Sequence, residues 1–121
     1  MDYTGSIKNY VDEEIRLLKE LDVTLVNELL KELVSAYEKE ATVYVFGNGG
    51  SASTASHMAN DFNKGISEYT DKKFRICCLN DNVPTVLAIA NDIGYEDIFS
   101  FQLRNKVKPG DLVIGISGSG N

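Results

Sequence analysis

The sequence lacks any apolar stretch near the roughly 20 residues that span a bilayer, so no membrane segment is expected. Its first residues, MDYTGSIKNYVDEE, have neither the basic nor the apolar region of a signal peptide. Lysine and arginine form no cluster and the net charge is −6, which argues against the basic surface that binds nucleic acid. We therefore expect a cytoplasmic protein with neither a membrane nor a nucleic-acid partner.

Cysteine is also scarce, and the two cysteines, Cys77 and Cys78, are adjacent in the run FRICCL. Neighbouring residues of a strand point to opposite faces of the sheet, so these two sulfurs are poorly placed for a disulfide. We interpret them as small buried hydrophobic side chains in a reducing compartment. By contrast, hydrophobic residues make up 43% of the 121 residues, which is enough for the core of one domain.

Helical and strand patterns alternate along the chain. Apolar spacing predicts amphipathic helices over residues 7–21 and 23–39, and the pattern also predicts a helix over residues 51–64. Helical turns are predicted over residues 83–90 and 95–106, separated by residues 91–94. Short apolar runs predict strands buried on both faces over residues 41–46, 73–79 and 112–116. The alternation predicts an α/β fold with a parallel sheet.

This pattern divides the chain into an N-terminal helical hairpin over residues 1–40 and an α/β domain over residues 41–121. The last residues, GSGN, lie in a loop directly after the third strand. A natural domain seldom ends there, so we expect the chain to be truncated after that strand and to be the N-terminal part of a longer protein.

A glycine-rich turn, GNGGSAS, joins the first strand to the following helix. Glycines let the backbone turn sharply and approach a ligand, and Ser51 is a good helix cap. The free N–H groups and the dipole of the helix start then form an anion site that needs no basic side chain. The alternative is a turn that is rich in glycine only for its geometry.

A second turn, ISGSGN, follows the third strand and offers the hydroxyls of Ser117 and Ser119. Ligands of open parallel sheets bind beyond the carboxyl ends of the strands. Two such turns therefore predict one shared pocket, whose amides and hydroxyls suit a phosphate or a polyol.

The only histidine, His57, lies four residues before Asp61, on the helix face opposite the apolar residues Ala55, Met58, Ala59 and Phe62. A histidine next to a carboxylate can transfer protons or bind a metal. Two ligands do not make a zinc site, which needs others from elsewhere. The alternative is a solvated His–Asp pair on the helix surface.

Three blocks in this order, GNGGSAS…SHMANDF, LNDNVPTVLAIANDIGYEDIF and GDLVIGISGSGN, resemble the SIS (sugar isomerase) domain family, and especially its phosphoheptose isomerase branch. The likeness runs from residue 43 to the last residue. It implies a three-layer, flavodoxin-like α/β fold that binds phosphosugars. It also implies a homodimer or homotetramer with pockets between subunits.

The resemblance further implies which residues line the sugar-phosphate pocket: Asn48, Gly49, Gly50, Ser51, Asn80, Asp81, Ser117, Gly118 and Ser119. The family usually has a threonine where Gly118 stands, so one hydroxyl is lost there. His57 matches a zinc ligand. Asp61 matches a glutamate that is both a metal ligand and the proton-transfer base, and it is one methylene shorter. In the family, the other metal ligands and the second acid/base come from a later helix.

The resemblance thus implies an aldose–ketose isomerase acting on a sugar phosphate such as sedoheptulose 7-phosphate. In that reading Asp61 is the base, and His57, holding zinc, stabilises the oxyanion. Two alternatives remain open. The first is a non-catalytic SIS regulator or interaction module that binds phosphosugars. The second is an oligomer-forming α/β fragment without a ligand.

Overall fold

The structure, a computed structural model, describes residues 1–121. Its α-helices are α1 (Thr4–Lys19), α2 (Val23–Glu38), α3 (Gly50–Asn60), α4 (Val83–Asp92) and a short one, α5 (Ser100–Leu103). Its strands are β1 (Thr42–Gly47), β2 (Arg75–Cys78) and β3 (Leu112–Ile116). A π-helical turn (Asp61–Ile66) and two 3₁₀ turns (Ser67–Tyr69, Tyr95–Asp97) complete the elements.

The three strands form one parallel sheet in the order β2-β1-β3. In the centre, Val45 pairs with Cys78 on one side and with Ile114 on the other. Because all three strands run in one direction, their carboxyl ends meet at the same edge. The turns that follow β1 and β3 are therefore neighbours.

The two faces of β1 pack against different layers. Val43 and Val45 are fully buried in a core that includes residues of α2 and α3: Leu33, Ala36, Ala55 and Ala59. On the opposite face, Phe46 stacks on Phe99 with ring centroids 4.5 Å apart. Helical layers on both faces of a parallel sheet confirm the predicted three-layer α/β fold.

Strand β3 is less buried than its apolar sequence predicts. Its residues alternate between half-buried and exposed, and Val113 is 41% exposed. Val113 lies beside Tyr44 and Gly115 beside Phe46, so the exposed face is the one that carries Phe99. β3 is an edge strand of the sheet. The expectation that it is buried on both faces is wrong, because little of the chain packs on the face that carries Phe99.

The helix predicted over residues 51–64 ends earlier and continues as the π-helical turn from Asp61. Asn63 in this turn donates its side-chain amide to the Ile76 carbonyl and accepts from the Ile76 N–H, both at 2.9 Å. The side chain thus occupies backbone groups on the outer edge of β2, which would otherwise be free to pair with another strand.

The chain divides into two units, residues 1–31 and residues 32–121, with the boundary inside α2. The predicted division at residue 40 stays a prediction. Asp22 caps α2 by accepting the N–H of Thr24 at 2.9 Å and that of Leu25 at 3.3 Å. None of the helices has the length and apolar character needed to cross a membrane.

Candidate functional site

The turn after β1 is shaped by its glycines. A side chain at Gly47 would meet the Ser51 Cβ at 2.7 Å and the Ile116 carbonyl at 2.9 Å, so only glycine fits between these neighbours. Gly49 has a φ of 56°, which lies in the left-handed region. The chain can therefore turn from strand into helix within two residues.

Ser51 does not cap α3, contrary to the sequence expectation. The cap position is Gly49, and no side chain accepts a hydrogen bond there. The Ser51 N–H donates to the Asn48 carbonyl at 3.0 Å, whereas the Ser51 hydroxyl and the Gly49 and Gly50 amides have no partner within the chain. These unpaired donors, at a helix start, favour an anionic ligand.

The turn after β3 is partly closed by its own serines. The Ser117 hydroxyl accepts the Gly120 N–H at 2.9 Å and donates to the Asn121 carbonyl at 3.3 Å. The Ser119 hydroxyl accepts the Asn121 N–H at 3.4 Å. The amides of Gly118 and Ser119 have no acceptor in the chain and remain available.

Both turns line a single cleft of about 680 Å³. Its lining includes these predicted residues: Asn48, Ser51, Ser117, Gly118 and Ser119. Gly49 and Gly50 belong to the first turn but do not line the cleft. The sequence did not point to the stacked rings of Phe46 and Phe99, which form an apolar wall. Phe99 lies far along the chain, and no local pattern marks it.

Asn80 and Asp81 do not line this cleft, although Asn80 contacts Gly47, which does. The Asn80 side chain accepts from the Gly47 N–H at 3.1 Å and donates to the Gly47 carbonyl at 2.8 Å, so it fixes the end of β1. Asp81 accepts a hydrogen bond from the Ser56 hydroxyl at 2.8 Å and lines a different pocket. Their predicted contact with a sugar stays a prediction.

His57 and Asp61 line a third concavity, a groove of about 420 Å³ along the exposed side of α3. His57 Nδ1 lies 2.9 Å from Asp61 Oδ2, and the two side chains are 75% and 53% exposed. The carboxylate holds the imidazole with Nε2 free to accept or donate a proton. The groove and the cleft have no lining residue in common.

The residues of this chain do not by themselves fit a zinc site. Zinc takes four ligands in structural sites and three protein ligands in catalytic sites. No group of three or more histidine, cysteine, aspartate or glutamate side chains in the chain is placed to hold a metal ion. Zinc binding at His57 and Asp61 stays a prediction that requires ligands from elsewhere.

An open parallel sheet with an amide- and hydroxyl-lined cleft beyond its strand ends defines an α/β protein of the class that binds small ligands at this edge. The sequence model of the SIS domain matches residues 9–121. The chain belongs to the SIS domain family.

Named relatives agree with this assignment. The chain is 36% identical over 114 residues to a probable phosphoheptose isomerase of Thermoplasma acidophilum, covering 94% of this chain and 62% of that protein. It is 36% identical over 122 residues to the phosphoheptose isomerase of Helicobacter pylori, covering 95% and 63%. The solved phosphoheptose isomerase of Neisseria gonorrhoeae superposes with a TM-score of 0.82 at 26% identity, covering 96% and 61%. The chain thus spans about three fifths of the length of these relatives.

Proposed function

We propose that the chain supplies the sugar-phosphate-binding part of an aldose–ketose isomerase, with sedoheptulose 7-phosphate as its substrate. The observation that carries this proposal is the single cleft formed by the two turns after β1 and β3. Its hydroxyls and unpaired amides can surround a phosphate without a cation. The relatives named phosphoheptose isomerase support the choice of sugar.

In the proposed reaction, a proton moves between C1 and C2 through an enediolate. The Asp61 carboxylate takes the proton from one carbon and returns it to the other, while a hydroxyl proton moves between the two oxygens. His57, held by Asp61 at 2.9 Å, would donate from Nε2 to the developing oxyanion when protonated. The phosphate contacts in the cleft hold the substrate and orient the reacting carbons.

We propose a homo-oligomer, because the first unit has no buried residue. Residues 1–32 are all exposed. Large apolar side chains lie at helical spacing along them: Ile7, Val11, Ile15, Leu18, Leu25, Leu29 and Leu30. Helices of this length are marginal in water unless an apolar face is covered. A second copy with the same apolar faces fits that requirement.

A melting experiment tests phosphate binding in the cleft. Sedoheptulose 7-phosphate at a hundredfold excess over its Kd should add about 2.7 kcal/mol of stability, and unphosphorylated sedoheptulose should add none. The double substitution Ser51→Ala with Ser119→Ala should remove most of the shift. Ser6→Ala, which removes an exposed hydroxyl of α1, serves as the matched control. Equal shifts in all variants would contradict a phosphate site in this cleft.

Hydrogen exchange tests the isomerase chemistry. In D₂O the protein should introduce deuterium at C1 or C2 of the sugar phosphate, and Asp61→Asn should abolish this while keeping the melting shift. A second function, a non-catalytic phosphosugar-binding regulator, is favoured by the exposure of the His57–Asp61 pair and its separation from the cleft. Binding without any deuterium incorporation would establish that second function instead.

A further inference from the structure

Two side chains, those of Asn63 and Ser67, take the place of a neighbouring strand along the outer edge of β2 and the residue just before it. Asn63 accepts the Ile76 N–H and donates to the Ile76 carbonyl, both at 2.9 Å. The Ser67 hydroxyl accepts the Phe74 N–H at 2.9 Å and donates to the Phe62 carbonyl at 2.7 Å. The π-helical turn is therefore tied to the sheet by bonds to three backbone groups of this edge.

Apolar packing protects these hydrogen bonds from water. The Phe62 ring meets the Phe74 ring edge to face, with centroids 5.0 Å apart. Ser67 is 3% exposed, and a hydrogen bond that is shielded from water is electrostatically stronger than an exposed one. The residues that follow Asp61 thus have a fixed position relative to the sheet.

The turn that is tied in this way begins at Asp61, the proposed base. α3 ends at Asn60, and the π-helical turn runs from Asp61 to Ile66. Residues two apart on a helix do not face each other, so Asp61 reaches His57 in the exposed groove while Asn63 reaches the sheet. Turns of this kind are rare and occur frequently at functional sites. This one joins the carboxylate of the groove to the edge of β2.

The Asp61 carboxylate has little else to hold it in place. Its ion-pair partner, His57, is itself 75% exposed, and the Asp61 side chain is 53% exposed. Exposed pairs contribute about 0–1 kcal/mol, so this pair does not fix the position of either side chain. An aspartate side chain is short, so the place that its carboxylate reaches depends on the backbone position of the residue. On the carboxyl side of Asp61, Asn63 sets that backbone position.

We infer that Asn63 is a positioning residue, which holds the Asp61 backbone where its carboxylate reaches both His57 and the sugar phosphate. The inference rests on the proposed isomerase function, and it assigns no chemistry to Asn63 itself. Loss of the two hydrogen bonds to Ile76 frees the turn from the sheet edge and displaces the carboxylate. A displacement of about 1 Å can lower a catalytic rate by about 100-fold.

NMR of the His57 ring tests the positioning without any substrate. His57 is the only histidine, so its two ring nitrogens give resolved signals in protein labelled at histidine. At a pH where the ring is neutral, the hydrogen bond to Asp61 favours the tautomer with the proton on Nδ1. Asn63→Ala should shift both nitrogen signals toward those of Asp61→Ala, in which this hydrogen bond is lost. Unchanged signals in Asn63→Ala would overturn the inference.

Deuterium incorporation separates positioning from binding. At saturating sedoheptulose 7-phosphate, Asn63→Ala should lower the rate by about 10- to 100-fold. The KM and the melting shift caused by the sugar phosphate should stay unchanged, because the cleft that binds the phosphate is intact.

Asp111→Ala is the matched control for this loss. Asp111 accepts the N–H groups of Thr42 and Lys108, at 2.9 and 2.8 Å, at the opposite end of the strands from the cleft. The control variant therefore also loses two bonds from a side chain to the backbone. It should keep the normal rate and the normal ring signals of His57.

The outcomes distinguish this inference from the proposed function. An equal loss of rate in Asn63→Ala and Asp111→Ala would show general destabilisation, and the inference would be wrong. If the unmodified protein incorporates no deuterium, the isomerase function fails, and the His57 ring signals alone decide whether Asn63 positions Asp61. If Asn63→Ala does not fold, Ser67→Ala, which breaks the bond to Phe74, should shift the same signals. Unchanged signals in that variant would equally contradict the inference.

Discussion

At the scale of single residues, Gly47 is the position with the least room. An added Cβ would lie 2.7 Å from the Ser51 Cβ, 2.8 Å from the Ser51 carbonyl carbon and 2.9 Å from the Ile116 oxygen. Two of these atoms belong to backbone and cannot rotate away. The close approach of β1, α3 and β3 therefore depends on the missing side chain.

Gly47→Ala should consequently lower the free energy of unfolding by about 1–3 kcal/mol, the usual cost of overpacking. Urea unfolding followed by circular dichroism measures this change. Gly50→Ala is the matched control, because no atom lies within 4 Å of the Cβ it would add. A loss for Gly50→Ala as large as that for Gly47→Ala would contradict the steric account.

Two buried side chains of the sheet make the free energy of unfolding depend on pH in the alkaline range. Burial raises the pKa of the Cys78 thiol above its usual value of about 9 and raises the pKa of the Tyr44 phenol. Both groups are neutral when protonated, so the folded state retains these protons more strongly than the unfolded state does. Their contribution is complete below the unfolded pKa values and is lost as the pH rises through the folded ones.

The free energy of unfolding should accordingly fall as the pH rises above about 9, starting with Cys78. Cys78→Ala should be less stable at pH 7.5, because it leaves a small cavity, but should lose less stability between pH 8 and pH 9.5. Urea titrations at pH 8 and pH 9.5 measure how much unfolding free energy each protein loses over this range. An identical loss for the two proteins would show that ionisation of Cys78 is not responsible.

At the scale of elements, the sequence predicted the strands well. The predicted strands at 41–46, 73–79 and 112–116 overlap β1, β2 and β3 with end errors of two residues or less. Short β-branched runs bounded by polar or glycine residues carry this signal locally. The helical turns predicted over residues 95–106 are confirmed as a 3₁₀ turn and the four-residue α5.

What the sequence could not show depends on partners distant along the chain. The shift to a π-helical turn at Asp61 accompanies the pairing of Asn63 with Ile76, thirteen residues away. For the candidate site, strand ends could be recognised, so the meeting of Ser51 with the second serine turn was predictable. The hydrogen bonds between Asn80 and Gly47 were not predictable, and neither was the aromatic wall of Phe46 and Phe99. Both contacts join residues of separate elements.

The link between β1 and β2 gives the prediction that belongs to this scale. Asn80 both accepts from and donates to the backbone of Gly47. Asn80→Asp keeps an acceptor but places a carboxylate near the Gly47 carbonyl, so the unfolding free energy should fall by about 1–3 kcal/mol at pH 7. Asn82→Asp, in the same loop, should be nearly neutral, since aspartate is an equally good cap for α4. Thermal unfolding measures the stability of the two variants. Equal stabilities would contradict the role of Asn80 in joining the end of β2 to β1.

At the scale of the whole molecule, the two parts of the proposed active site are far apart. Ser51 and Asp61 are ten residues apart on one continuous helical stretch, about 15 Å along its axis. An extended seven-carbon sugar phosphate, with bonds of about 1.5 Å, measures about 10 Å from C1 to phosphorus, which is still shorter than this separation. The cleft and the His57–Asp61 groove also share no lining residue. We therefore propose that a substrate held in the cleft of one copy meets the His57–Asp61 pair of another copy.

Mixing two inactive proteins tests this arrangement. Ser51→Ala with Ser119→Ala damages the cleft, and Asp61→Asn damages the base, so each protein alone should show little deuterium incorporation. If each site combines two copies, a mixed dimer contains one site with both parts intact. Equal mixing after denaturation and refolding should then restore about a quarter of the normal rate, since half the dimers are mixed and each has one working site of two. Refolding each protein alone is the control. A mixture no more active than its components would place both parts of the site within one chain, and the proposed assembly would have to be abandoned.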